Sequence, residues 1–480
     1  MENIQQKILL PKKGNEIELT IDSLAFGGRG VAKTGDFVWF VDRAIPGQTV
    51  KARVSKKKKN YGEAYTVEVL TPSPDQVEPR CRYFGVCGGC QHQHYAYEKQ
   101  VDQKTRQVKD LLKHIGGLDL DIVRPALGAD PVYGYRNKME FTFGSLRWRT
   151  PDTPPGQPDQ PGLGLHVPRR FDKILDIEEC PIQSEKANGI LKSIHDFFEA
   201  SGLPPYDQKT HLGFWRFCIL REGMATGELM AHIVTSGQYG DEGDTLIDKL
   251  AGELKTAHSG LTTFVHSISD NIGQVARGET ARVLFGPGTI REKIGERIFE
   301  IAPEAFFQTN TIQTNTLFKA IEDAAKLKGD ELLFDLYCGT GAIGIFLADK
   351  VKTVIGVEVI EAAVESANRN KEINQLDNVT FIAGDMKDAI SKCGLEENHG
   401  TPDVVVIDPP RGGTHPDTIE ELMALKAKRL VYVSCNPPHL AKDLKQLTEI
   451  YEIESIQPVD MFPHTKHIEV VTGLVLKESN

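Results

Sequence analysis

Along the C-terminal part of the chain, short apolar runs recur at regular spacing with helix-patterned stretches between them. Leu332–Leu336, Val354–Glu358, Val379–Ala383, Val404–Ile407 and Leu430–Val433 are continuous apolar segments bounded by turn residues. Such runs predict strands buried on both faces, and their alternation with helices predicts a doubly wound parallel sheet. The N-terminal stretch reads differently. Ile17–Ile21, Phe37–Val41, Thr49–Val54 and Glu63–Leu70 alternate apolar with polar residues and are separated by Gly, Pro and Asp turns. That spacing predicts a small all-β barrel over residues 11–72, with Lys56–Asn60 on a hairpin tip. Between these regions the pattern is mixed. A polar helix is predicted through Glu98–His114 and a strand over Tyr133–Phe143, with Trp215 and Phe217 in a core. Residues 150–162 hold five prolines among polar residues and predict a loop insertion without catalytic consequence.

A chain of 480 residues is too long for one core, and about three domains are expected. No apolar run approaches a membrane span, and the first residues lack the apolar core of a signal peptide. A soluble cytoplasmic protein with no membrane association and no evident obligate protein partner is therefore expected. The net charge of −11 excludes a protein that coats nucleic acid indiscriminately. Residues 1–72, however, carry 12 Lys+Arg against 8 Asp+Glu, a net of +4, which leaves −15 for the remainder. A basic end on an acidic body suits a module that grips a phosphate backbone while the body does chemistry.

Two groups of cysteines change the picture further. Cys435 follows the last apolar run, in Ser434-Cys435-Asn436-Pro437-Pro438, where the prolines end the strand and open a helix. This puts one thiol on the lip of the sheet, where open α/β folds bind ligands. Cys81, Cys87 and Cys90 lie within ten residues, and Gly88-Gly89 permit a tight turn between the last two. A fourth thiol, Cys180, stands directly before Pro181. Four thiolates suit zinc or an iron–sulfur cluster, and the uneven three-plus-one spacing favours [4Fe–4S]. Cys218 is assigned to packing and Cys393 to the surface.

In the C-terminal sheet, Gly339 and Gly341 let a cofactor approach the backbone, and Glu358 ends the second strand at a distance suited to ribose hydroxyls. Gly339-Thr-Gly-Ala-Ile-Gly344 also fits the dinucleotide fingerprint, so on this motif alone a nicotinamide enzyme stays open. Asp408-Pro-Pro-Arg411 differs from the aromatic-ended tetrapeptide of amino-group methyltransferases, which points to methylation at carbon.

Several segments together resemble the RNA 5-methyluridine methyltransferases. These are Phe306-Phe-Gln308-Thr-Asn310, Asp335-Leu-Tyr-Cys-Gly-Thr-Gly341, Asp408–Arg411, Ser434–Pro437 and Pro463-His-Thr-Lys-His-Ile-Glu469. Residues 81–95 resemble the same family's iron–sulfur segment, and the Gly27-Gly-Arg-Gly-Val-Ala32 turn resembles a TRAM domain. The resemblance covers essentially the whole chain, most closely the 23S ribosomal RNA enzymes. It implies a multidomain α/β protein: an oligonucleotide-binding-type TRAM barrel (11–72), a central α+β iron–sulfur and RNA-binding domain (75–95 and 125–300), and a Rossmann-like class I methyltransferase domain (96–124 and 301–480). It implies that Cys81, Cys87, Cys90 and Cys180 hold the cluster, and that Gln308, Tyr337, Glu358, Asp385 and Asp408 bind S-adenosyl-L-methionine. Ala342 departs from the pattern, since several members carry Asn there.

Carbon 5 of uracil is a poor nucleophile, so its methylation needs a thiolate to add to C6 and a base to remove the C5 proton afterwards. The resemblance implies Cys435 for the first role and Glu469 for the second. The substrate expected is ribosomal RNA, with transfer RNA as the alternative in the same class. The rival from another class is a non-catalytic RNA-binding iron–sulfur protein. The target base must leave its stack to reach the thiol. Arg136 and Lys138 beside Tyr135, in a segment like the family's Tyr-Arg-Asn-Lys, are expected to contact RNA.

Overall fold

In the computed structural model, residues 11–119, 121–150, 153–154, 156, 158–385 and 395–478 are described. The expected surface cysteine, Cys393, lies outside them.

The N-terminal module is one six-stranded sheet in the order Glu16–Thr20, Thr49–Lys57, Tyr61–Thr71, Phe37–Asp42, Gly30–Thr34, Ser23–Leu24. Period-two alternation drives it: Phe37, Trp39 and Val41 point inward with Leu19, Val50 and Val54. Gly62 is required by this packing, because a Cβ there would lie 2.2 Å from the Trp39 ring. The lysine run occupies the end of the Thr49–Lys57 strand and the turn into Tyr61–Thr71, as expected of a hairpin tip.

The central region holds a seven-stranded, mainly antiparallel sheet. Its order is Thr280–Phe285, Leu261–Ile268, Leu229–Thr235, Trp215–Glu222, Lys138–Gly144, Gly162–Val167, Arg170–Asp176. The helices Glu185–Ser201 and Gly240–Ala257 lay Ile190, Ile194, Phe198, Ile247 and Leu254 on it, around a wholly buried Trp215. Phe217 and Cys218 are buried too.

The C-terminal sheet runs Val379–Ala383, Thr353–Glu358, Leu332–Leu336, Val404–Ile407, Arg429–Ser434, Glu469–Leu476, Tyr451–Val459. Glu469–Leu476 is antiparallel to both its neighbours, and the other pairs are parallel. Successive residues of each strand feed opposite cores, as a doubly wound sheet demands. Leu333, Val404, Val406, Val431 and Val433 pack under the helix Thr311–Ala325. Phe334, Val405, Ile407, Leu430 and Tyr432 pack under Pro437–Leu447 and Pro416–Leu425. The predicted polar helix is Tyr97–Leu111, continued by a wider turn over Leu112–Gly116, and its Val108 and Leu112 join this second core. No helix among the described residues is long and apolar enough to cross a membrane.

The Tyr133–Phe143 stretch is strand only from Lys138 onward. Its first residues hydrogen-bond to other loops instead: Gly134 N–H donates to Pro181 O, Arg136 N–H to Ile182 O and Asn137 N–H to Thr309 O.

Candidate active site and cysteine centre

Because the sheet is parallel through five strands, their carboxyl ends share one edge. Leu336 leads there into Tyr337, which takes a left-handed backbone (φ 63°), as do Gly339 (φ 54°) and Gly341 (φ 78°). The Phe381 ring packs beneath this turn, 2.5 Å from where a Cβ on Gly341 would stand. Glu358 ends the neighbouring strand and reaches back. Its Oε2 accepts from Gly339 N–H (3.1 Å) and its Oε1 from Ile360 N–H (3.0 Å). Asp335 lies beneath, fully buried, accepting from Gly344 N–H at 2.8 Å. Burial pushes both Asp335 and Asp408 up to about 7, and for Asp335 the nearby Asp408 and Glu358 charges add to the effect. Asp385 is exposed just past the Val379–Ala383 strand, and its charge reaches Tyr337. Gln308 is half-buried in the loop before Thr311–Ala325, with its carbonyl held by Asn137 Nδ2 at 3.0 Å.

Cys435 follows the Arg429–Ser434 strand, and Asn436 caps the proline-started helix with its Nδ2 on Arg411 O (2.9 Å). The antiparallel strand runs the other way, so its first residue sits where the parallel strand ends. Ser434 pairs with Val470. Cys435 and Glu469 are the residues next to that pair, at the adjacent ends of the two strands. Burial pushes the Cys435 thiol up to about 12, with the Glu469 and Asp408 charges adding to it and Arg411 opposing. Burial likewise holds the Glu469 carboxyl well above the usual range, with Asp408 adding and Arg411 opposing. Arg411 is thus the cation that acts on both groups. It was quoted from sequence as part of a signature without a role, and its position became readable only once the sheet edge was assembled.

The sequence-predicted residues therefore fall along one rim: Tyr337, Glu358, Asp385 and Asp408 at successive strand ends, with Cys435 and Glu469 beside them. One expectation is corrected. Tyr135 is buried and its hydroxyl donates to Pro463 O at 3.0 Å, so it is not available to stack on a base. Asn137 of the same segment is buried as well. Arg136 remains partly exposed, 5.9 Å from the Phe462 ring centroid.

Cys81, Cys87, Cys90 and Cys180 lie near enough to act on one another. Each of Cys87, Cys90 and Cys180 is influenced electrostatically by others of the set, and burial pushes Cys90 up to about 11 and Cys180 up to about 12. Neutral thiols in such a place become thiolates when a metal supplies the compensating charge. The surrounding donors are ordered: Gly89 N–H donates to Cys87 Sγ (3.3 Å), and Asn188 Oδ1 accepts from Cys180 N–H (2.8 Å). Among the described residues, the one trio of potential ligand atoms within 4.8 Å of one another lies elsewhere, at Asp176, His195 and Glu199. Arg147 already pairs with both carboxylates of that trio.

Comparisons with known proteins bear on this geometry. Residues 247–479 match the family described as tRNA (Uracil-5-)-methyltransferase, and residues 12–67 match the TRAM domain. An uncharacterised RNA methyltransferase of Chlorobaculum tepidum is 38% identical over 98% of both chains. A second, from Bacteroides thetaiotaomicron, is 37% identical over 95% of this chain and 100% of its own. Among solved structures, the tRNA (uracil-54, C5)-methyltransferase of Pyrococcus abyssi, in complex with S-adenosyl-L-homocysteine, is similar at a TM-score of 0.73 and 29% identity. The alignment covers 96% of this chain and 100% of that one.

Proposed function

Since the chain belongs to the RNA (uracil-5-)-methyltransferase family and is an S-adenosyl-L-methionine-dependent RNA methyltransferase, we propose that it methylates C5 of a specific uridine in 23S ribosomal RNA through a transient Cys435–C6 bond. The observation that supports the mechanism is the pairing of Ser434 with Val470, which brings together the residues next to Cys435 and Glu469 across two antiparallel strands.

S-adenosyl-L-methionine supplies the methyl group as a sulfonium cation, and Gln308, Tyr337, Glu358, Asp385 and Asp408 are the residues proposed to hold it. Cys435 gives its thiol proton to water as its sulfur bonds to C6, and the C5=C6 pair moves into an enolate. The C5 pair takes the methyl group as the sulfonium S–CH3 bond breaks. Glu469 then removes the C5 proton, the C5=C6 bond re-forms, and the Cys435 thiolate departs. Burial favours the neutral Cys435 thiol in the free enzyme. The same burial makes the Glu469 carboxylate a stronger acceptor than an exposed one.

For Cys81, Cys87, Cys90 and Cys180 we propose a [4Fe–4S] cluster. The uneven three-plus-one spacing of these cysteines supports this reading over zinc, whose sites more often pair two short Cys-x-x-Cys turns. With all four ligands from protein, the cluster is a cross-link in this reading and takes no part in methyl transfer.

The basic barrel supports RNA as the partner, because its glycine turn lies at the active-site rim. A Cβ on Gly28 would stand 3.3 Å from both the His92 ring and Lys466 Cβ. Transfer RNA is the second reading, favoured by the Pyrococcus abyssi enzyme, whose tRNA specificity rides on a similar whole chain. The test is transfer of labelled methyl to unmodified ribosomal and transfer RNA by wild type and Cys435→Ala, with the product mapped by mass spectrometry. Label as 5-methyluridine in 23S RNA, absent with the variant, is expected. Label in transfer RNA alone replaces the substrate, and label surviving in Cys435→Ala removes the nucleophile.

A further inference from the structure

The turn between the last two strands, residues 460–468, leads into Glu469 at the sheet edge, and many of its hydrogen bonds come from distant parts of the chain. The polar helix Tyr97–Leu111 contributes most. Lys104 Nζ donates to Asp460 Oδ1 (2.6 Å) and Phe462 O (3.3 Å), and Tyr97 OH donates to Asp460 Oδ2 (3.0 Å). Gln100 Oε1 accepts from His464 N–H (3.1 Å), and its Nε2 lies 3.2 Å from His464 Nδ1. Tyr97, Gln100 and Lys104 are three and four residues apart and so share one helix face. The cysteine loop holds the same turn, for Gln91 and His92 N–H both donate to His464 O, at 2.9 and 3.0 Å.

Lys104 and Asp460 are almost completely inaccessible, with side-chain exposures of 3% and 0%. A buried ion pair is a poor source of stability compared with apolar residues of the same volume, so its presence asks for a geometric reason. Asp460 supplies one. It accepts from Lys104, Tyr97 and the Phe462 N–H together, which fixes the direction in which the chain leaves the Tyr451–Val459 strand. Lys104 has Asp460 and Phe462 O as its partners, nine and seven residues before Glu469. Its hydrogen bonds reach only the turn, and the backbone around Cys435 is held separately by Asn436 and Ser434.

We propose that Lys104, through Asp460, is a positioning residue for proton abstraction, holding the turn so that Glu469 reaches C5 after methyl transfer. This rests on the reading of Glu469 as the base. Substitution should therefore slow the step that needs Glu469 and spare the steps that need Cys435, leaving methylated RNA covalently attached to the enzyme.

The experiment is a single-turnover assay on full-length protein with its metal centre, using labelled methyl donor and the unmodified RNA identified by the assay above. Denaturing quench separates protein-bound from free methylated RNA for wild type, Lys104→Met, Lys104→Arg and Glu469→Gln. Glu469→Gln should trap labelled RNA on the protein. Lys104→Met should transfer methyl within about threefold of the wild-type rate and release it about tenfold or more slowly, with Lys104→Arg recovering part of the release. Release at the wild-type rate, or methyl transfer and release falling together, overturns the proposal. If Lys104→Met does not fold, Tyr97→Phe removes one hydrogen bond from the same carboxylate. A smaller trapped fraction there supports the proposal, and none overturns it. Free release by Glu469→Gln instead refutes the base assignment, whatever the Lys104 variants do.

Discussion

The two seven-stranded sheets of this protein differ in what they do with their strand ends. In the central sheet most neighbours are antiparallel, so carboxyl ends are distributed over both edges. Its Trp215–Glu222 and Leu229–Thr235 strands are buried along their whole length. In the C-terminal sheet five parallel strands put their carboxyl ends side by side, and Tyr337, Glu358, Asp408 and Cys435 follow at that edge. The one antiparallel strand there contributes its amino end, Glu469, to the same rim. Strand direction, more than apolar content, separates a scaffold from a site.

The sharpest way to break this contrast is at the rim itself. Cys435→Ala should lower methyl transfer by about 10³-fold or more while the melting temperature stays near wild type, measured by labelled-methyl incorporation and thermal melting. The scaffold should answer in the opposite sense. Trp215→Ala removes a fully buried indole and should cost about 3–5 kcal/mol in denaturant unfolding, with S-adenosyl-L-methionine affinity unchanged by calorimetry. If that affinity falls with stability, the two sheets are not separable in this way.

Between them in size comes the cysteine centre. With the proposed [4Fe–4S] cluster in place, the purified protein should absorb broadly in the visible, and Cys87→Ala should remove that absorption and lower the melting temperature, since the loop also holds the Glu469 turn. A colourless wild-type protein containing stoichiometric zinc would rule out the cluster assignment.

The smallest effect is a matter of pH. Asp335 is buried and its carboxyl is the weaker acid for it, pushed up to about 7 against about 3.9 in an unfolded chain. A group raised in the folded state contributes its stability fully below the unfolded value and loses it as pH rises through the folded one. Asp335→Asn, which keeps an acceptor for Gly344 N–H, should therefore raise the melting temperature by a few degrees at pH 8 and leave it unchanged at pH 4. An equal gain at both pH values would mean the carboxyl titrates normally.

Much of the rim could be read in the chain before folding was considered. The apolar runs ending in Tyr337, Glu358, Asp408 and Cys435 emerge as strands of the C-terminal sheet, and the barrel strands appear where alternation placed them. The polar helix was legible as a helix and not as a buried one. Its Gln100 and Lys104 are buried because the turn they face offers backbone groups and a carboxylate, which a hydrophobicity pattern does not register. Tyr135 was misplaced for a related reason, since alternation over residues 133–137 resembles a strand while their partners are loop carbonyls.

What the sequence determined by itself is therefore local: buried strands from apolar runs, a cofactor turn from Gly339 and Gly341, and a thiol stopped at a strand end by Pro437. Those features depend on residues within a few positions of one another. The tertiary structure alone decided that the strand ends carrying Cys435 and Glu469 lie side by side, that Arg411 acts on both, and that Lys104 lies buried against Asp460. Each of these joins segments distant along the chain, and their meeting is set by sheet register and helix docking, which emerge only when the whole core packs.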